Sequence, residues 1–455
     1  MASSRASHTF TISLTTFLIL LASHFGYCDG KNAAKTRTLS IGDAIKTAYA
    51  NNKQIQIQER EIRAARAKIL GAVSNFLPKL NANGSYTYND AVLGIPSDFL
   101  ISTDKDLGVF TGYKNDHLLG LSAHEVAFNG GADIANLKQS KVNLKIQEET
   151  LRAGKLDVEF EAKRLYYGLL LAYDTERIAR DLVDQAEAHY RNVKDKFDQG
   201  TKSRFDLLQS AVHVSLQIPE LVRAQKSIDL IMAELNKLLS LPVRDPVRLS
   251  GRLAYSPIAV KEDDFLKEAY VNRPEMILKS LGVDMQKWAI SMARAGRLPQ
   301  VTGDLELYYR GDRMGEMFNT RHKNWFAGVT VSVPLFDGFS TKSKVDEAKA
   351  RYAQAGIERE NTADQTAVDI RRACLDLRQA EAIITSQKDS VVQAEEALRI
   401  SEVRYDNGVG TNLDVLDSMV SLSQVERNLV SAIYDYIMAK AYLYKSMGKS
   451  VTTEE

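Results

Sequence analysis

The chain has 455 residues, with 59 basic against 58 acidic side chains for a formal charge of +1. That balance excludes a field built to hold polyanions, and 44% hydrophobic residues exclude a disordered chain. Two cysteines, Cys28 and Cys374, exclude a disulfide scaffold and a cysteine-rich zinc site. With only 9 prolines, long uninterrupted helices are permitted.

Residues 1–28 read as a secretory signal peptide. Arg5 and His8 precede an apolar stretch, Phe10 to Ala22, of about 13 residues, whereas spanning a bilayer takes about 20. The expected cut lies before Asp29; the alternative is a buried N-terminal helix. No later stretch is apolar enough for a transmembrane helix, so an exported chain that crosses a membrane does so with strands.

The remainder is one unit written twice. Ala44 to Tyr88 aligns without a gap on Phe265 to Tyr309, an offset of 265 − 44 = 221, with Ala48-Tyr49-Ala50-Asn51 recurring as Ala269-Tyr270-Val271-Asn272. After a loop the offset becomes 328 − 120 = 208 and holds to the C-terminus, with Phe128-Asn129-Gly130 on Phe336-Asp337-Gly338 and Phe197-Asp198-Gln199-Gly200 on Tyr405-Asp406-Asn407-Gly408. Each copy reads helix, strand, strand, long helix, helix. The first repeat is expected over 39–240, with strands at 80–89 and 117–128 and a long helix over 132–197. A linker with Pro242, Pro246 and Pro257 follows over 241–263. The second repeat is expected over 264–449, with strands at 302–310 and 324–336 and a long helix over 340–406, before a tail at 450–455.

In the second long helix, large residues recur every seven positions from Ala363 through Ile370, Leu377, Ile384, Val391 and Leu398 to Tyr405, each followed three later by a mostly small one. That is a coiled-coil seam with one bulky and one small rank. The first copy answers with Ala162, Leu169, Val183, Tyr190 and Phe197, with Glu176 as the misfit. A helix over 132–197 would be about 100 Å long at 1.5 Å per residue. The strands alternate strictly: Leu80, Ala82, Gly84, Tyr86 and Tyr88 against Asn81, Asn83, Ser85 and Thr87, and Trp325, Ala327, Val329 and Val331 against Gly328, Thr330 and Ser332. Strands of about 9–11 residues, apolar outside and polar inside, suit a membrane β-barrel. The fold class is therefore mainly α with a membrane β-barrel part. Four strands fall short of the roughly eight that close a barrel, so the chain must oligomerise; three copies give twelve.

The sequence resembles the outer membrane efflux protein (TolC) family over nearly the whole mature chain. The resemblance rests on the two repeats, Leu77-Pro78 and Leu298-Pro299, and Pro334-Leu335-Phe336-Asp337-Gly338-Phe339. It rests most on Arg404-Tyr405-Asp406-Asn407-Gly408 with Asp414-Val415-Leu416-Asp417. It implies a homotrimer with a twelve-stranded outer-membrane barrel on a long periplasmic α-barrel, in a Gram-negative cell, serving as exit duct of a tripartite efflux pump or type I secretion system. The implied partners are a periplasmic membrane-fusion adaptor and an inner-membrane pump of RND, ABC or MFS type, with outer-membrane lipid around the barrel. Adaptor docking would fall at the helix-turn tips, Gly200 and Thr201 and Gly408, Val409 and Gly410. The periplasmic entrance would be formed by Asp414, Asp417, Asp206 and Tyr405, and the loop from Asp90 to Asn115 would lie at the cell exterior. Gly410 departs from the basic residue that relatives carry near there, so an Arg–Asp gate at that position is not carried over.

Spacing alone says less about the entrance. Asn407-Gly408 can end the long helix, Thr411 or Asn412 can cap the next, and Asp414 and Asp417, at i and i+3, then share a face. They either complement the helix dipole or, as the resemblance implies, ring the axis. Asp206 fits the first role, and Gln209 replaces its second carboxylate. No catalytic or cofactor motif is present, the histidines are scattered, and no cofactor or metal is expected. The alternative function is an exported coiled-coil scaffold or adhesin without channel activity.

Overall fold

The computed structural model describes residues 37–90, 113–316 and 323–450. The segment expected as a signal peptide, most of the loop from Asp90 to Asn115 and all but Ser450 of the tail lie outside the described residues. The elements are, in order, β1 (Arg37–Leu39), α1 (Ile41–Asn51), α2 (Lys53–Val73), β2 (Lys79–Tyr88), β3 (Asn115–Asn129), α3 (Ala132–Asp198), α4 (Arg204–Leu238), β4 (Val247–Leu249), α5 (Glu262–Asn272), α6 (Pro274–Ala295), β5 (Gln300–Gly311), β6 (Lys323–Ser332), α7 (Ser340–Asp406) and α8 (Asn412–Ser446).

The long helices α3 and α7 have 67 residues each, about 100 Å of rise. They run the length of the helical part and take different neighbours along it. Toward the tips α3 packs on α4 and α8, and α8 on α7, giving a row α4–α3–α8–α7. Toward the sheet α2 packs on α3 and α6 joins α3 to α7, giving α2–α3–α6–α7. The four-stranded antiparallel sheet repeats that order as β2–β3–β5–β6. All three layers therefore present their free edges on the same two sides of the chain.

The seam of α7 is as the periodicity predicts: Ile370, Leu377, Ile384, Leu398 and Tyr405 are buried, with Thr366, Ala373 and Ala380 beneath them. In the tip half of α3 Val183 is buried as the periodicity predicts, but beyond it the seam slips by one position. Leu182, Ala186, His189 and Val193 are also buried, while Tyr190 and Phe197 are half-buried. The slip follows Glu176, which occupies the bulky rank and pairs with Arg180 along its own helix rather than entering the core.

The expected first helix of each copy is two helices. Asn52 caps α2 by accepting from Gln54 N–H at 2.9 Å, and Arg273-Pro274 breaks the second copy at the equivalent place. The segment expected as a linker has structure of its own. It contributes β4, which pairs in parallel with β1, and then lies across α7 and α8, where Tyr255 donates to Glu381 at 2.8 Å and Tyr436 accepts from Ile258 N–H at 3.0 Å. Apolar Leu249, Leu253, Ile258 and Val260 seal the two helical cores. Strand β6 ends at Ser332, four residues before the expected 336. Its last partner is Gln300, the first residue of β5 after Pro299, and Pro334 has no N–H to continue a ladder.

The sheet register sorts the side chains. Leu80, Ala123, Leu305 and Ala327 are in register, as are Ala82, Leu121, Leu307 and Trp325. A bulge between Val126 and Phe128 turns Phe128 onto the same face, opposite Val301. The other face carries Asn81, Ser122, Glu306 and the ion pairs Arg310–Asp116 (2.6 Å) and His124–Asp304 (2.6 Å). The apolar face is exposed: Trp325 is 72% and Val329 76% accessible in the single chain.

Among the described residues, the positive-φ conformations other than Gly251 come in pairs 208 residues apart: Gly130 and Gly338, Gly131 and Phe339, Gly200 and Gly408, Ser240 and Gly448.

Candidate functional site: the helix-turn tips

The two turns farthest from the sheet have one design. In the first, Gly200 N–H donates to Phe197 O (2.8 Å) and Thr201 N–H to Lys196 O (2.9 Å). In the second, Gly408 N–H donates to Tyr405 O (3.1 Å) and Val409 N–H to Arg404 O (3.0 Å). Both are the paired-bond helix ending that requires a left-handed residue, supplied by Gly200 and Gly408 at φ 76°. A capping box starts each following helix: Ser203 with Asp206, and Thr411 with Asp414.

That geometry gives Asp414 a definite job. Its N–H donates to Thr411 Oγ1 (3.2 Å), and Thr411 N–H donates to its carboxylate at 2.9 Å. These bonds from the Thr411 backbone and hydroxyl hold the Asp414 carboxyl below its usual range. Asp206 does the same for Ser203. Asp417 is exposed, with no ion pair among the described residues, one turn along α8 from Asp414. The cap of α8 is Thr411, and Asn412 turns inward instead.

Asn412, 3% exposed, is the hub of a buried network that the sequence reading did not find. Its Nδ2 donates to Gln209 Oε1 (3.0 Å) and to Asp206 O (3.3 Å). With the amide so oriented, Oδ1 accepts from His189 Nε2 (2.6 Å) and from Ser210 Oγ (3.2 Å). One side chain of α8 thus ties together α3 and α4. Burial pushes the His189 pKa down, so the ring is neutral with its proton on Nε2. The available signal was weak: a histidine in phase with the seam, and an asparagine next to a better cap.

Tyr405 also departs from expectation. It is 1% exposed, packed with Val193, Leu398, Val415 and Met419, and lies 5.2 Å centroid to centroid from His189. Burial, then Asp206 and Asp406, push its phenol up to about 12. Lys202, from the first turn, holds its Nζ 3.8 Å from the Tyr405 ring centroid, a cation–π contact of about 0.5–2 kcal/mol, and donates to Tyr405 O at 3.4 Å. Lys196 bridges to Asp406 at 2.6 Å, which holds that carboxyl below its usual range. Gly410 is a glycine for a local reason: a Cβ there would stand 3.0 Å from Arg404 Cβ and from Tyr405 N. Lys202 on Tyr405 thus links the hairpins beside Lys196–Asp406 and the Asn412 hub, with no basic residue at 410.

Beyond this closed network the tip is apolar. Phe205, Leu208, Val409 and Leu413 are all at least half exposed. No cluster of metal-ligating side chains occurs among the described residues, and none of their helices is long and apolar enough to cross a membrane.

Known proteins resemble this chain in sequence or in fold. The alkaline protease secretion protein AprF of Pseudomonas aeruginosa is 23% identical over 412 residues, 89% of this chain and 83% of that protein. The outer membrane protein TolC of Vibrio cholerae is 21% identical over 420 residues, 90% of each. The CmeC outer membrane channel of Campylobacter jejuni superimposes with a TM-score of 0.78 at 19% identity, covering 91% of this chain and 87% of that one. The outer membrane efflux protein family matches over residues 44–240 and 265–449, most of the described structure, and the chain belongs to that family.

Proposed function

We propose that the chain is the outer-membrane exit duct of a tripartite efflux pump or type I secretion system, a passive channel and not an enzyme. The observation that carries this reading is the shared order of the layers. β2–β3–β5–β6, α2–α3–α6–α7 and α4–α3–α8–α7 all leave their free edges on the same two sides. Three copies meeting edge to edge would close twelve strands into a membrane barrel and continue it as a helical tube. The exposed apolar sheet face would meet lipid, and the polar face with its ion pairs would line water. Along α4 an exposed stripe, Phe205, Leu208, Val212, Leu216 and Val222, would be covered by α7 of the neighbouring copy. The paired left-handed residues support an origin by duplication.

The names of the relatives, an alkaline protease secretion protein and an outer membrane channel, support export as the task. A periplasmic adaptor would dock on the tips around Gly200, Thr201, Gly408, Val409 and Gly410, and an inner-membrane pump would supply the cargo. Asp417 would project six carboxylates with Asp414 around the threefold axis, Asp414 keeping its capping bond. Purified protein in a planar bilayer tests the reading: it should give discrete conductance steps, with trivalent cations blocking. Asp417→Asn should weaken the block and leave thermal stability unchanged. A protein that remains soluble without detergent and conducts nothing would instead favour the scaffold reading.

A further inference from the structure

The apolar face of the sheet carries one carboxylate, Glu125, on the inner strand β3. It stands opposite Gly303, which is itself opposite Val329. Its neighbours His124 and Asp304 pair with each other on the other face, and Lys79, in register with His124, shares that face. Lys323, the cation of the apolar face, pairs with Tyr309 at the far end of the sheet. Half-buried Glu125 thus has no ion pair among the described residues.

Beside it the face is hollow. A cleft of about 410 Å³ is lined by Pro78, Ala123, Glu125, Gly303, Ala327 and Val329. A Cβ added to Gly303 would meet nothing within 4 Å. β3 and β5 are the inner strands, so a neighbouring copy pairing at β2 or β6 leaves this cleft open. Glu125 lies three residues, about 10 Å along the strand, from Phe128 at the helical end of the apolar band. The Glu125 stem covers part of that distance toward the interface, and a headgroup ammonium drawn into the cleft mouth covers the rest.

Building on the reading of this face as lipid-facing, we propose that the cleft is a binding site for an inner-leaflet phospholipid with a primary ammonium headgroup. The ammonium pairs with the Glu125 carboxylate through N–H donors, and an acyl chain fills the hollow over Gly303, Ala123 and Ala327. A quaternary headgroup lacks those donors, and an anionic one is repelled. An exposed ion pair of this kind corresponds to a preference of about two- to fivefold.

The test uses the full mature protein in nanodiscs and vesicles of phosphatidylethanolamine, phosphatidylcholine or phosphatidylglycerol with identical acyl chains. Native mass spectrometry after mild delipidation should show phosphatidylethanolamine retained about threefold over phosphatidylcholine. Glu125→Gln should abolish that preference, Glu306→Gln on the opposite face should not, and Gly303→Leu should lower retention of both lipids. Equal retention of the two lipids by the unmodified protein, or an unchanged preference in Glu125→Gln, overturns the site. Failure of the protein to float with vesicles of any composition overturns the lipid-facing reading itself, and this site with it.

Discussion

The two helical hairpins, α3–α4 and α7–α8, share a backbone and differ in chemistry. Their turns, capping boxes and left-handed residues coincide at an offset of 208, yet α4 buries only Ser210, Ala224, Leu235 and Asn236 in the single chain. Its counterpart α8 buries three times as many, among them Val415, Met419, Ala432, Tyr436 and Leu443. Pro219 sits inside α4, and its equivalent, Arg427, leaves α8 unbroken. Asn412, the buried hub, corresponds to exposed Arg204. The two hairpins share what the backbone requires and differ in their side chains: α8 organises the core, and α4 leaves an apolar face exposed that we propose a neighbouring copy covers.

The largest expected contrast is at the hairpin ends. Ser240 and Gly448 both have positive φ, at 55° and 73°, but a Cβ on Gly448 would collide with the Asn272 carbonyl, whereas Ser240 Oγ donates to Asn51 O at 3.0 Å. Gly448→Ala should cost about 2–4 kcal/mol by thermal unfolding in detergent, and Ser240→Ala about 0.5–1.5 kcal/mol. Equal costs would remove the asymmetry. Next in size, Asn412→Ala leaves His189 and Ser210 without their acceptor and should cost about 2–3 kcal/mol; Arg204→Ala should cost less than about 0.5 kcal/mol.

A pH titration sharpens the same point. Burial lowers the His189 pKa below its unfolded value of about 6.5, so the unfolded chain takes the proton first. Stability from the tip network should be full above that pH and fall as pH drops through and below it, toward the folded pKa. His213, shifted in the same direction by burial, adds to this slope. His189→Gln, which keeps a donor for Asn412, should flatten the melting-temperature profile below about pH 6.5 without removing the part due to His213. An unchanged profile would mean His189 does not couple the hairpins. The smallest effect is an equality: Ser203→Ala and Thr411→Ala should each cost about 1 kcal/mol, because the capping boxes are the same.

Much of the fold was legible in the residues because it rests on periodicity. The seven-residue seam of α7 and the alternation of the strands are linear patterns, and the structure follows them. What escaped was set by contacts distant in sequence or by short-range polar bonds that apolar periodicity does not carry. The break at Asn52 is a cap within a helical pattern, the role of the 241–263 segment depends on β1 some 210 residues earlier, and the slip in α3 follows from where Glu176 finds Arg180. At the tips the turn glycines and Asp414 were visible from spacing. The His189–Asn412 bond, across 223 residues, and the seating of Lys202 on Tyr405 were not, since no local pattern encodes either.

The central claim is that the free edges of the sheet and of both helical rows meet in three copies to close one duct. The native mass of the full mature protein, released from membranes in mild detergent, tests it most directly when the same sample is assayed for conductance. The account predicts a particle of three chains without interchain disulfides, and conductance that disappears when it is dissociated. A stable monomer with intact channel activity would contradict it.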